Sequence, residues 1–369
     1  MFGGQRRRSR GTLAVLLALT LLVITGWLAL RQPVPYVTFS PGPTVNVLGD
    51  SGDEPIIEVE GEESFRDDGA LRLVTVVPSG PEQKVDLFSL LRAWGDPAVD
   101  VLPFASVYQP EDTRSSVREQ SAAQMTSSQD NAVAAALAAL DIDYDVGVGV
   151  ASVDPDGPAA DRLQPGDEVL RVDGTRVDTV DRLVSLVRGQ DVGSTVTFDV
   201  RRDGERVTER VRTVAAPDGG RGSAVRIGVG ECCYDFPFEV SLNLSDNIGG
   251  PSAGLMFALG IFDVLTPGSL TEGKVVAGTG EIDAEGNVGP IGGIRQKLVG
   301  AQDDGAELFL VPGDNCAEAL TASFDPEEMR LVRADSLAEA VDDVQAWVED
   351  PDAELPRCTS DASAAGARP

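Results

Sequence analysis

The sequence predicts an α+β protein, two folded units behind one apolar N-terminal helix. Residues 11–30 form an uncharged apolar run. Short alternating strand patterns fill 141–215, and a glycine-rich serine turn at 249–254 opens an apolar helix, followed by a second helix at 294–303. At 369 residues the chain is too long for one ordinary domain and suits two units plus a tether.

Composition narrows the chemistry. A formal charge of −30 argues against nucleic acid as a partner, because phosphates are repelled by such a surface. Histidine is absent, which removes Ser-His-Asp and Cys-His catalysis, HExxH metal chemistry and the commonest zinc ligand. A hydrolase built here needs another base, and neither a catalytic metal nor a cofactor is expected. Cys232, Cys233, Cys316 and Cys358 lack the paired CxxC spacing of a zinc site. In an oxidising compartment they predict at least one bridge from the Cys232/Cys233 pair to Cys316 or Cys358.

The N-terminal ten residues are basic, with Arg6, Arg7, Arg8 and Arg10 ahead of the apolar run. Twenty residues at helical rise cross a hydrocarbon core of about 30 Å. Only Arg31 follows closely, so the positive-inside bias predicts a single-pass helix at 11–30 with a cytoplasmic N-terminus and an extracytoplasmic body at the cell membrane. A cleaved signal peptide is the rival reading. The run is long for an h-region and lacks an A-x-A exit, which favours a retained anchor.

Residues 31–53 are rich in proline and glycine and read as a juxtamembrane tether. From 54 to 140 come strand patterns at 56–60 and 71–77, a short amphipathic helix at 86–94 and a long alanine-rich helix at 117–140. Residues 141–215 follow with strands, a helix at 180–188 and a turn at Asp203-Gly204 between two further strands. A polar, glycine-rich link at 216–223 leads into a last unit at 224–348, and 349–369 reads as a disordered tail tethered through Cys358.

The segment 141–215, with its Pro165-Gly-Asp-Glu-Val-Leu-Arg-Val-Asp-Gly174 stretch, resembles a PDZ domain over essentially its whole length. PDZ domains bind extended peptides by adding a strand at a sheet edge. The resemblance implies a peptide-docking groove at Val146, Gly147, Val148 and Val150, with the 180–188 helix opposite.

In the last unit Pro251 and the Gly249-Gly250 pair predict a helix from Ser252 to about Leu265. Backbone N–H groups of Ser252 and Ala253 at its start suit a developing oxyanion. Lys297 on the next helix lies among Ile294, Leu298 and Val299. A lysine becomes a base for a serine hydroxyl when burial lowers its pKa.

The stretch from Phe238 to Leu310 resembles the Lon proteolytic domain in three blocks: Gly249-Gly-Pro-Ser-Ala-Gly-Leu-Met-Phe-Ala-Leu259, Ala277-Gly-Thr-Gly-Glu-Ile-Asp283 and Val288-Gly-Pro-Ile-Gly-Gly-Ile-Arg-Gln-Lys297. Leu308 to Pro312, then Asn315, extends the likeness. It implies that Ser252 is the nucleophile, Lys297 the general base and Thr279 the partner that positions the amine. Gly249 departs from the acidic residue many Lon proteases carry there. The sequence contains no GxxxxGK[ST] phosphate loop, so the expected relative works without ATP.

A Lon-type fold needs strands and a helix ahead of the serine, which predicts that the PDZ unit is inserted into it. The expected activity is a membrane-anchored serine endopeptidase acting on extracytoplasmic proteins, with peptide or protein substrates docking on the PDZ groove. Rings formed by Lon-family domains make a homo-oligomer the expectation. The competing expectation is an inactive PDZ adaptor or scaffold of the cell envelope.

Overall fold

The computed structural model describes residues 5–52, 54–66, 68–202, 204–216, 222–245 and 248–359. Residues 1–4, Asp203 of the expected turn, 217–221 of the expected link, Asn247 before the serine stretch and 360–369 of the expected tail lie outside them. By their contacts the residues form two compact units, 1–140 with 240–369, and 141–239. The second unit is therefore inserted between two segments of the first.

Unit 1 begins with α1 (Gln5–Leu30), β1 (Pro33–Val34), β2 (Tyr36–Asn46), β3 (Asp50–Ser51), β4 (Glu54–Pro55), β5 (Ile57–Glu60) and β6 (Ala70–Pro78). It continues with β7 (Val85–Asp86), α2 (Leu87–Trp94), β8 (Asp100–Pro103) and α3 (Arg114–Ala139). The Leu13–Leu30 part of α1 is long and apolar enough to cross a membrane. Asp86 caps α2 and Thr113 caps α3 with a reciprocal Ser116 bond, which satisfies backbone donors that a helix start leaves open.

Unit 2 contributes β9 (Asp145–Val153), β10 (Glu168–Val172), β11 (Thr175–Arg176), α4 (Val180–Arg188), β12 (Thr195–Arg202), β13 (Glu205–Arg212), β14 (Val214–Ala215), β15 (Ser223–Ala224) and β16 (Ile227–Asp235). Its sheet is ordered β13-β12-β10-β9-β16 over a core that includes Val148, Leu163, Val169, Leu183 and Phe198. Asp167 of the PGDE stretch is fully buried and receives Nε and Nη2 of Arg202 at 2.6 and 2.7 Å and the Gln164 backbone N–H at 2.9 Å. A charge-assisted fork of this kind makes a buried carboxylate tolerable.

The chain returns to unit 1 through β17 (Glu239–Leu242), α5 (Gly254–Leu265), β18 (Val275–Gly278), β19 (Glu281–Ile282), β20 (Val288–Gly289) and α6 (Ile294–Asp303). It ends with β21 (Leu308–Pro312), α7 (Cys316–Ala319), β22 (Arg330–Ala334) and α8 (Leu337–Glu349). The six-stranded sheet runs β22-β21-β18-β6-β2-β8. From β22 to β6 the pairings are parallel, whereas β2 is antiparallel to both β6 and β8. Parallel neighbours need crossovers: α6 lies between β18 and β21, α7 between β21 and β22, and the long stretch that includes α3, unit 2 and α5 between β6 and β18.

Both faces of this sheet are covered. Val74, Ala277, Phe309 and Val311 pack on Ile294, Leu298 and Ala301 of α6, while on the opposite face the Gly278 position abuts Met256 of α5. A strand covered on both sides reads as a continuous apolar run, as Leu308-Phe-Leu-Val-Pro312 does.

Five expectations need correction. The tether at 31–53 contains β2, an inner strand of the sheet; its prolines fit because Pro41 and Thr44 flank a register shift where the ladder is interrupted. The segment 227–235, expected in the 224–348 unit, pairs with β9 instead, and the inserted unit extends to 239 rather than 215. Within the expected 216–223 link, Ser223 begins β15 and pairs with Ala215. Cys232 is bridged to Cys233 and Cys316 to Cys358, so no bridge joins the two pairs. The expected tail is ordered through 359, since Arg330 donates to the Pro351 and Ala353 carbonyls and the Arg333 N–H to the Pro356 carbonyl.

Candidate active site

Ser252 stands in a turn held from two sides. From α3, Ser128 Oγ donates to the Pro251 carbonyl at 2.9 Å and the Ser121 carbonyl accepts from the Gly250 N–H at 2.9 Å. From the β18–β19 connection, the Gly280 N–H and Thr279 Oγ1 both donate to the Ser252 carbonyl, at 3.0 and 2.9 Å. Gly250 has φ +88°, a backbone state that glycine reaches without a Cβ clash. Gly249 lies against α3, where an added Cβ would lie 3.0 Å from Ser121 Cβ, so a side chain there would need α3 to give way slightly.

Helix α5 starts at Gly254 rather than at Ser252, with Ala253 as its capping residue. Gly254 sits so close to Ile282 and Ser128 that a Cβ would lie 2.8 and 2.9 Å from their atoms, so the first helical residue carries no side chain. Among the described residues no carbonyl accepts from the backbone N–H of Ser252 or Ala253. Two donors at a helix start thus remain open beside the hydroxyl.

Lys297 comes from α6, whose capping residue Gly293 adopts φ +71° with Val76 too near for any Cβ. Asn315 braces the approach to that helix, accepting from the Ile291 N–H at 2.8 Å and donating to its carbonyl at 2.9 Å. The side chain of Lys297 is only 1% exposed. Its Nζ lies 2.8 Å from Ser252 Oγ and 2.7 Å from Thr279 Oγ1. Burial disfavours the ammonium form and brings the Lys297 pKa down to about 7.

The hydrogen-bond directions follow from counting protons. Thr279 commits its one proton to the Ser252 carbonyl, so its oxygen accepts from Nζ. A neutral amine then has its lone pair available for the Ser252 hydroxyl. That arrangement can draw the proton from Oγ, and the Ser252 and Ala253 N–H groups can receive negative charge on a carbonyl oxygen.

The pair opens onto a cavity of about 480 Å³. Val74, Val76 and Pro78 of β6, Met125 of α3 and Ile248 supply apolar wall, with Arg114 and Arg118 on α3 and Glu281 on β19 at polar positions. A groove of this size with few charged groups suits an extended peptide segment.

The structure thus brings Ser252, Thr279, Lys297 and the two N–H groups together. Ser121, Ser128 and Asn315, which hold the turn and the lysine helix, were not found as site residues by sequence reasoning. Ser121 and Ser128 look like ordinary polar residues on a small-residue helix, and Asn315 carried only its place after the Leu308–Pro312 run.

A family model of the Lon protease (S16) C-terminal proteolytic domain matches residues 247–346. The chain carries a Lon-type proteolytic domain. A PDZ domain model matches 116–213. That span begins inside α3, which packs on α5 and belongs to unit 1, so Asp141 is the better boundary of the PDZ unit.

The chain is similar to Lon protease 2 of Bacillus subtilis, 27% identical over 44% of this chain and 29% of that protein. Lon protease of Fusobacterium nucleatum is 34% identical over 27% of this chain and 12% of its own length. A probable periplasmic serine endoprotease DegP-like protein of Halomonas elongata is 39% identical over 24% of this chain and 19% of its own. The chain therefore spans less than a third of the length of these curated relatives. Among solved structures, the PDZ domain of an SdrC-like protein from Listeria monocytogenes is 27% identical, covering 24% of this chain and 90% of that one at a TM-score of 0.22.

The expected peptide groove has no open strand edge on β9. Val146, Gly147, Val148 and Val150 lie on β9, which has β10 on one side and β16 on the other. Val148 and Val150 are buried. An added strand needs unpaired backbone groups, and β9 is already flanked on both edges. The edge strands of this sheet are β13 and β16; β16 contacts α4, and among the described residues no strand pairs with its outer side.

Proposed function

We propose that this protein is a membrane-anchored serine endopeptidase that cleaves extracytoplasmic proteins without ATP, with Ser252 as nucleophile and Lys297 as general base. The observation that carries this reading is the 2.8 Å approach of a buried, readily neutral Nζ to the Ser252 hydroxyl oxygen. Nζ takes the hydroxyl proton as Oγ attacks the peptide carbonyl carbon, and the Ser252 and Ala253 N–H groups receive the oxyanion. The ammonium returns its proton to the leaving nitrogen as the C–N bond breaks. Water, activated by the same amine, then releases the acyl group.

Thr279 orients the amine by accepting one of its N–H bonds. The apolar Leu13–Leu30 part of α1, preceded by Arg6, Arg7, Arg8 and Arg10, supports a cytoplasmic N-terminus and an outward body. A sequence without a phosphate loop supports independence from ATP. Extended peptides dock on the outer edge of β16 beside α4, where strand addition extends the PDZ sheet.

A serine-directed covalent probe on the full chain tests the assignment. Labelling at Ser252, together with loss of cleavage in folded Ser252→Ala and Lys297→Ala, is the expected result. Cleavage that survives either substitution shows that the dyad assignment is wrong.

A further inference from the structure

We propose that α2 is a second membrane contact, lying in the surface of the bilayer that α1 crosses, with Phe88, Leu91 and Trp94 embedded at the level of the phospholipid headgroups. The proposal rests on the reading of α1 as a membrane anchor. Phe88, Leu91 and Trp94 are 58, 48 and 62% exposed, although α2 buries Leu90 and Ala93 on its other side. Their spacing of three places them along one stripe of the helix. An outward stripe of one phenylalanine, one leucine and one tryptophan has no use in water.

The occupant follows from chain continuity. The Leu87 N–H, at the start of α2, donates to the Gln32 carbonyl at 3.1 Å, two residues past the end of α1. Just beyond, Pro33 and Val34 of β1 pair with Asp86 and Val85 of β7, and α1 touches α2. A helix bonded to the exit of a membrane-crossing helix is held at the bilayer surface. Leu102 on β8, against which α2 packs, is also exposed and widens the apolar patch.

In a chain with twice as many acidic as basic residues, the exposed charges around this junction are mixed, with Arg31, Lys84 and Arg92 beside Glu82 and Asp96. The three basic side chains suit lipid phosphates, while the neighbouring Asp86 is engaged as the helix cap, accepting from the Ser89 N–H at 2.8 Å. Tryptophan at position 94 has the amphipathic ring that favours the interface. With α1 and α2 both engaged, unit 1 is fixed in orientation as well as tethered.

The test uses the full-length chain in phosphatidylcholine vesicles whose acyl chains carry bromine, a quencher of tryptophan fluorescence. The chain has three tryptophans. Trp27→Phe with Trp347→Phe leaves Trp94 as reporter, and Trp94→Phe with Trp347→Phe leaves Trp27. The proposal expects Trp94 emission to fall at least twofold on bromination, most with bromine near the headgroup. Unquenched, red-shifted Trp94 emission overturns it, and so does blue-shifted emission without quenching, which signals a second copy or another protein over the face. An unquenched Trp27 instead overturns the anchor reading, so the two failures are distinguishable. The unaltered chain, in vesicles containing a diazirine-bearing phosphatidylcholine, answers without substitutions: photoadducts on residues 87–94 support embedding, and adducts confined to α1 overturn it.

Discussion

Thr279 and Lys297 are joined by a 2.7 Å hydrogen bond whose direction is fixed by the threonine's other bond, to the Ser252 carbonyl. One hydroxyl therefore locates both the amine and the turn that carries its partner. Thr279→Val keeps the volume and removes both functions. It is expected to lower kcat by about 10- to 100-fold, to leave KM near its original value and to cost roughly 1–3 kcal/mol in stability. Thr279→Ser should restore most of the rate. Steady-state kinetics of both variants, beside denaturant unfolding, check this; a Val variant as active as the parent contradicts a positioning role.

Lys297 makes activity and stability depend on pH in a defined sense. The amine acts as a base when neutral, so kcat/KM is expected to rise with a slope of one and level off above about 7. For stability, the folded pKa lies below the unfolded value, so the unfolded state binds the extra proton between about 7 and 10.5. The penalty of burying the ammonium is complete below about 7 and fades as pH rises toward 10.5. Lys297→Met is accordingly expected to stabilise the fold at pH 6 and to lose that advantage at high pH. Unfolding curves for both proteins across this range decide it, and a pH-independent difference would falsify the linkage.

Gln296 precedes the lysine, is fully buried, and holds both amide atoms without a hydrogen-bond partner among the described residues. Leaving a buried polar group unpaired costs about 1–3 kcal/mol. Gln296→Met, close in shape and without the amide, is expected to raise the unfolding free energy by about 1–2 kcal/mol. Calorimetry tests it, and a lower melting temperature would show that the amide has a bonding role.

Peptide docking at the β16 edge predicts where amide exchange slows. On the full chain, saturating extended peptide should protect amides within 227–231, while the amides of β9, already paired on both sides, change little. Protection of 145–150 with β16 unchanged would return the groove to its sequence-predicted place.

The site was more legible in the sequence than the architecture around it. Ser252, Thr279 and Lys297 sit in three short blocks whose residue types are dictated by tight turns and close helix–sheet contacts, and such constraints leave local marks. Which strand forms a sheet edge is a non-local property: 145–150 and 227–235 both look like strands, and register alone decides which is enclosed. The 36–46 stretch concealed an inner strand because Pro41 and Pro43 coincide with an interruption of the ladder. Cysteine pairing likewise depended on where Cys358 returns against α7, a matter of tertiary packing.

The insertion of unit 2 sets a timetable for synthesis. β6 must wait for β18, since Ala70 pairs with Val275, and the whole of 141–239 is made between them. The inserted unit can fold while the first half of its host is still incomplete. Lys297 emerges later still, and its contact with Ser252 depends on a sheet that closes only then. The Ser252–Lys297 contact thus forms only after synthesis has passed residue 297 and the strands on either side of the insertion have paired.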